Sequence, residues 1–530
     1  MRTLKVISIF LLLILPFILL SHTSFLPAAG RIAGISSGQL IYGRSQDAVT
    51  LDPAFSQDEE SNKVIANIFE GLVRFKPGTT TIEPCLAEGW RVSPDGREWT
   101  FLLRKGVKFH DGTPFNSDAV RFSIERQLPP QRAESAGYAS FTFGMLESIK
   151  TPDLYTVQFI LKYPYAPFLN NLAMPAAAPI VSPAAVAALG EEFGNKPVGT
   201  GPYRFSSWKK GKNITLKENR DYWHKLPGCP TLVFNVIKNN RLRALTLKLG
   251  LVDIIDNLAP ADVRYLEQKG FPVMQTSGLD LNYLGFFTDK EPFDNPTVRR
   301  AVSMLIDRKH ITELHKGAAI EANGPLPPGV LGYDAGLNLI PYDPQGAKEL
   351  LAGAGYAGGL QFEIITYNNP RPYNPAGGDI LAAAIRRELA EAGVKTVIKS
   401  YTWEQYKEAL LNKEGNAFLY GWISDNGDPD NFLYTLLSSS QIENGLNTAR
   451  YRNNEVDLLL VKAQLETEPA LRERMYRDAI EMITQDAPWI FLNHSLEFYA
   501  TSTKVTGFTP HFAGYTPLDT VKNEAKQLKV

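Results

Sequence analysis

The sequence predicts an α/β protein of two or three domains, and three observations lead there. Past Gly278, apolar strand-like runs alternate with amphipathic helical stretches: QFEIITY, GDILAAAIRRELAEAG, KTVIKSY, WEQYKEALL and NAFLYGWI follow one another. That alternation is the mark of a largely parallel sheet covered by helices. Before Gly278 the text reads as short hairpins, so a differently built region precedes the α/β part. At 530 residues the chain also exceeds what one core usually fills.

In chain order, the first thirty residues stand apart from the fold. Arg2 and Lys5 precede an apolar run from Val6 to Leu20, and small residues follow near Ala28 to Gly30. This is the pattern of an export signal removed near Gly30. The run is short for a membrane span and Pro16 interrupts it, with an uncleaved N-terminal anchor as the alternative. No cysteine follows the run, which argues against a lipoprotein. The expectation is export out of the cytoplasm.

"SPDG" then signals a type I turn, and its flanks GWRV and EWTFLLR form a hairpin. Asn116 or Ser117 caps a helix beginning SDAVRFSIER. TPDLYTVQFIL reads as a strand, and GTGPYRFSSWKKGKNITLKEN as a second hairpin turning at KKGK. PTLVFNVIK is a further strand, and ALTLKLGLVDIID a helix leading into a strand. Asn295 with Pro296, and Asp343 with Pro344, cap and start two more helices.

Composition excludes some functions. Hydrophobic residues make up 44% and charged residues 21%, net charge is −1, and no basic block occurs. Nucleic acid is therefore not an expected partner. Only Cys85 and Cys229 are present; they either pair or remain separate buried thiols, and zinc ligand spacing is absent. His310 and His315 are five apart and do not share a helix face, and His110 in FHDGTPF reads as a turn residue. No metal or cofactor is expected.

Two loops follow strand ends, where α/β sheets bind ligands. YNNPRPYNP holds Arg371 between prolines that stiffen the backbone, ahead of a helix whose N-terminus favours an anion. Arginine so held can grip a carboxylate through two parallel hydrogen bonds. GWISDNGDPDNF offers Asp425, Asp428 and Asp430, with Trp422 as an apolar wall. The loop is a turn, or a calcium loop, or a cation site; the calcium spacing fails because the twelfth position from Asp425 is Leu436. Asp425 lies closest to the strand end and suits an ammonium. A carboxylate grip and an ammonium grip on neighbouring loops suit a zwitterion such as a free peptide, although two opposite charges can also pair with each other.

Enzyme motifs are weak. GISSG has no strand–elbow–helix around it. Ser207 to Lys210 matches S-x-x-K and Ser424 to Asn426 matches S-D-N, but K-T-G is missing. A penicillin-binding-type peptidoglycan enzyme is thus a remote alternative, and the expectation is no catalysis and no catalytic residue.

LAEGWRVSPDGREWTFLLRKGVKFHDGTPFNSDAVRFSIER resembles the large peptide/nickel class (family 5) of extracellular solute-binding proteins of ABC importers. PVGTGPYRFSSWKKGKNITLKENRDYW, FDNPTVRRAVSMLIDR and YDPQGAKELLAGAGY resemble it too, in the family's order. RPYNP and DNGDPDNF look like its dipeptide-binding branch. The resemblance implies a periplasmic-binding-protein-like fold of two lobes and three domains around a ligand cleft with a hinge. It divides the chain into a signal peptide (1–30), a discontinuous lobe 1 core (31–74, 195–278, 487–530), a small extra domain of lobe 1 (75–194) and a lobe 2 α/β domain (279–486). It implies that Arg371 binds a peptide carboxylate and Asp425 its amino group, with Trp422, Tyr373, Asn374 and Gly421 completing the site. It implies short peptides as ligands, membrane permease subunits as partners and a monomer. Longer oligopeptides, haem, glutathione and metal chelates are the alternative ligands. The two cysteines do not match the disulfide expected of the dipeptide branch.

Overall fold

The computed structural model describes residues 38–131, 134 and 136–524. The expected export signal, or anchor, at 1–30 lies outside the described residues. Among the described residues, no helix is long and apolar enough to cross a membrane.

Twelve strands form one sheet whose spine is Trp489–Thr501. The first half of this strand runs antiparallel to Asp280–Phe286, and its second half pairs with Val273–Ser277 and Ile254–Ile255. On one side the sheet continues through Asp280–Phe286 to Ala417–Ile423, Gln361–Tyr367 and Lys395–Tyr401. On the other it continues through Ile254–Ile255 to Gln39–Arg44, Thr231–Val236, Asn213–Glu218 and Tyr203–Lys209. The spine strand thus joins both halves of the molecule.

The strand–helix alternation read from the sequence is present, with helices Gly378–Glu391 and Trp403–Leu411 as crossovers. On this side of the sheet only three strands are parallel, however: Gln361–Tyr367 lies parallel to both Lys395–Tyr401 and Ala417–Ile423, as Gln39–Arg44 on the other side does to Thr231–Val236 and Ile254–Ile255. Asp280–Phe286 meets Ala417–Ile423 antiparallel, so the sheet is mixed instead of largely parallel. Helical crossovers keep strands parallel; the two strands that close this side arrive without them.

A separate antiparallel sheet orders Ala87–Val92, Glu98–Leu103, Thr156–Leu161 and Leu146–Asp153. The segment read as one strand, TPDLYTVQFIL, is really a hairpin. Asp153 accepts a hydrogen bond from the Tyr155 amide at 2.8 Å and turns the chain there. Helix Ser117–Glu125 is capped by Asn116, whose side chain accepts from the Ala119 amide at 3.0 Å.

Apolar packing ties these parts together. One buried cluster runs from Phe101 and Phe159 of the small sheet, with Phe168 of the helical turn beside it, to Leu284, Ile364 and Phe418 of the mixed sheet. A second holds Leu40, Ile65 and Leu232, and a third Ile255, Leu266 and Phe498. Cys85 and Cys229 are both buried, and no disulfide links them.

Candidate ligand cleft

A cavity of about 660 Å³ lies where the segments converge. Glu59 and Asn62 reach it from the N-terminal helix, Tyr138 and Met174 from the small-sheet region, and Asp280, Ser424 and Asp425 from the mixed sheet. Its size suits a small organic ligand.

The acidic loop divides its three carboxylates among three tasks. Strand Ala417–Ile423 ends where the Ser424 amide donates to the Leu279 carbonyl at 2.7 Å. Asp425 follows and lines the cavity. Burial raises its pKa, and a hydrogen bond from the Tyr138 hydroxyl opposes that rise. Asp428 is turned inward and takes both arms of Arg472, at 2.6 and 2.7 Å. Asp430 is buried beside Asp428, and desolvation with that like charge pushes its pKa up to about 7. It accepts from the Tyr165 hydroxyl at 3.2 Å. Asn426 holds the loop against the small-sheet region by donating to Asn171 at 2.7 Å. Asp425 alone of the three faces the cavity.

The arginine loop is built on the neighbouring strand. Arg371 and Asn374 exchange two backbone hydrogen bonds, at 3.1 and 2.9 Å. The Asn374 amide donates to the Tyr367 hydroxyl at 2.9 Å, and its oxygen accepts from the Gly377 amide. Pro372 and Pro375 line the cavity, whereas Arg371 does not. Its guanidinium lies 3.7 Å over the Trp403 ring, a cation–π stack that fixes the plane of the fork. Its Nε is buried without a hydrogen-bond partner, and it makes no ion pair among the described residues.

The remaining expected site residues sit under these loops. The Tyr373 ring crosses Gly421 so closely that a Cβ there would stand 2.3 Å from it, so only glycine fits. The Tyr373 carbonyl accepts from Asn493 at 3.1 Å, and the Trp422 indole donates to Asn431 at 2.9 Å. None of Tyr373, Asn374, Gly421 and Trp422 lines the cavity. The structure therefore brings Asp425 and the Arg371 loop to one wall and leaves the other four residues as its support.

Sequence reasoning passed over several lining residues. Glu59, Tyr138, Asp280, Glu497 and Tyr515 come from five distant segments, and no local motif marks any of them. Asp280 accepts from the amide and hydroxyl of Ser495, and burial pushes its pKa up to about 6.

The enzyme motifs are not assembled. Ser207 is exposed on a hairpin strand, and Lys210 stacks 3.1 Å over Trp208, while Ser424 and Asp425 border the cavity. His110 bonds the Gly201 carbonyl at 3.0 Å, and burial drives its pKa down to about 4, so it staples a turn. No group of three or more potential ligands is placed to hold a metal ion among the described residues.

A family model for bacterial extracellular solute-binding proteins, family 5, matches residues 81–444. The chain belongs to that family. It is 35% identical over 508 residues to heme-binding protein A of Haemophilus influenzae, covering 91% of each chain. It is 33% identical over 463 residues to the dipeptide-binding protein of Escherichia coli, covering 83% of this chain and 86% of that one. The crystal structure of a dipeptide-binding protein from Pseudoalteromonas in complex with Met-Leu superposes with a TM-score of 0.70. It is 29% identical and covers 92% of this chain and all of that one (100%).

Proposed function

We propose that this protein is the substrate-binding component of an ABC importer, capturing dipeptides and short peptides by their charged ends and handing them to a membrane permease. One observation carries the reading. A carboxylate without a cationic partner, Asp425, and a guanidinium without an anionic one, Arg371, stand in the loops that leave two adjacent parallel strands and are not paired with each other. Buried charges persist only when partnered, and a zwitterionic peptide supplies both partners at once. Beside one haem-binding relative stand several that bind di- or tripeptides, which favours peptide over haem as ligand.

In this reading the peptide's amino group meets Asp425 and its carboxylate meets Arg371. Both belong to the α/β lobe (279–486), so the ligand docks there first. The lobe formed by 31–74, 195–278 and 487–530, with the small domain 75–194, then closes over it. The strand Trp489–Thr501 and the turn at Gly278 are the crossing points at which the hinge bends. Hinge closure around ligands is the general behaviour of periplasmic binding proteins. Waters fill the space around varied side chains. The protein works as a monomer in the periplasm, and no bond is made or broken.

Competition tests this. Protein stripped of ligand by unfolding and refolded is equilibrated with an equimolar mixture of dipeptides, glutathione and haemin, washed, and denatured. Mass spectrometry of the released material is expected to find dipeptides. Release of porphyrin or glutathione in their place would overturn the assignment.

A further inference from the structure

The cleft carries more carboxyl groups than a peptide's amino end requires. Five carboxylates line it, from Asp58, Glu59, Asp280, Asp425 and Glu497, and no Lys, Arg or His does among the described residues. Asp58 is occupied in capping its helix, accepting from the Ser61 amide and hydroxyl at 2.8 and 2.6 Å. Asp425 is assigned above to the amino group. Of the remaining three, Glu59 shares Lys63 at 2.7 Å and Asp280 accepts from Ser495, which leaves Glu497 the least compensated.

These three form one wall. Ser495, which binds Asp280, and Glu497 are two apart on the spine strand and so face the same side. Asp280 pairs in register with Ile423, two residues before Asp425. Glu497 accepts one hydrogen bond, from the Tyr499 hydroxyl at 2.8 Å, and has no cation at ion-pairing distance among the described residues. The nearest ammonium, Lys63, is already shared by Glu59, Glu60 and Asp256 at 2.7, 3.3 and 2.6 Å. A separate observation falls on the same wall. Tyr515 lines the cavity, is only 7% exposed, and its hydroxyl has no partner. Its loop presses on Glu59, since a Cβ on Gly514 would stand 2.5 Å from the Glu59 carboxyl carbon. An unpartnered phenol oxygen beside a carboxylate pair is ready to accept from an N–H group.

Resting on the peptide reading above, we infer that Glu59, Asp280, Glu497 and the Tyr515 hydroxyl form a second cation subsite. It takes the ammonium or guanidinium of a ligand side chain and makes the cleft selective for lysine- and arginine-containing dipeptides. Burial and the neighbouring Glu59 charge push the Glu497 pKa up to about 8, while Tyr499 and Lys63 oppose the rise and Asp280 adds to it. With no cation beside it, Glu497 therefore holds its proton to higher pH than an ordinary carboxyl. An arriving cation favours the ionised form, so the proton leaves to solvent on binding. Affinity for a basic peptide rises with pH up to about 8.

The test is calorimetry on the wild-type protein with Ala-Ala, Ala-Lys and Ala-norleucine, and with Lys-Ala and norleucine-Ala, in two buffers of different ionisation enthalpy at pH 6–8. One lysyl peptide is expected to bind about tenfold or more tightly than its norleucine counterpart, the worth of a charge-assisted hydrogen bond. It is also expected to release more protons. In Glu497→Gln, which retains the bond from Tyr499, the lysine-to-norleucine ratio falls toward one. A ratio of one in the wild type, or equal proton release from both peptides, overturns the inference. Ala-Ala binding alongside a ratio of one leaves the peptide reading standing, whereas no binding by any peptide removes both.

Discussion

Arg371→Met is expected to weaken Ala-Ala binding by about 2–5 kcal/mol, roughly 30-fold to several thousand-fold. Removing one member of a buried charge pair leaves the other without a partner, here the peptide carboxylate. Methionine keeps much of the volume and can still contact the Trp403 ring, so the loss reports the charge and not a collapsed loop. The loop has its own supports in the Arg371–Asn374 backbone bonds and the Asn374–Tyr367 bond, and the substitution touches neither. Calorimetry reads the result. An unchanged affinity would remove Arg371 from the carboxylate role.

The second large effect is on stability. Asp428→Ala leaves the buried Arg472 guanidinium without the carboxylate that takes two of its N–H groups, and the expected loss is about 3–5 kcal/mol. Urea denaturation followed by tryptophan fluorescence measures it. Adding Arg472→Met to the same chain should recover part of the loss, because the uncompensated charge goes with it. Dipeptide affinity should fall as well in Asp428→Ala, since Asp428 accepts from the Asp430 amide at 2.9 Å and sets the turn that follows Asp425. An unchanged denaturation midpoint would mean that the pair does not hold this loop.

What the sequence made legible followed from local pattern. The strands at 361–367, 395–401 and 417–423, their crossover helices and the caps at Asn116, Asn295 and Asp343 are all written in short stretches, and all form. The antiparallel partners of that sheet were not legible. Asp280–Phe286 meets Trp489–Thr501 across some two hundred residues, and strand pairing at that distance leaves no local trace. The hairpin inside TPDLYTVQFIL was missed because its two turn residues, Leu154 and Tyr155, are not turn formers and only Pro152 and the Asp153 side chain before them mark the reversal.

The site divides in the same way. Proximity to a strand end singled out Asp425 from Asp428 and Asp430, and the structure gives those three carboxylates different surroundings. The stack of Arg371 on Trp403 depends on the next strand–helix unit and could not be read from YNNPRPYNP. Glu497 looks like any charged residue on a long strand. Only the fold brings it to Glu59 and Asp280 around a cavity.

The central claim is that a peptide's two ends are gripped separately by Asp425 and Arg371. A calorimetric cycle tests it most directly, measuring Ala-Ala, N-acetyl-Ala-Ala and Ala-Ala-amide on the wild type, Asp425→Asn and Arg371→Met. The wild type should bind the free dipeptide far more tightly than either blocked form. Asp425→Asn should lose the distinction between free and acetylated peptide only, and Arg371→Met the distinction between free and amidated peptide only. Blocked and free peptides binding the wild type alike, or both variants losing the same distinction, would contradict the account.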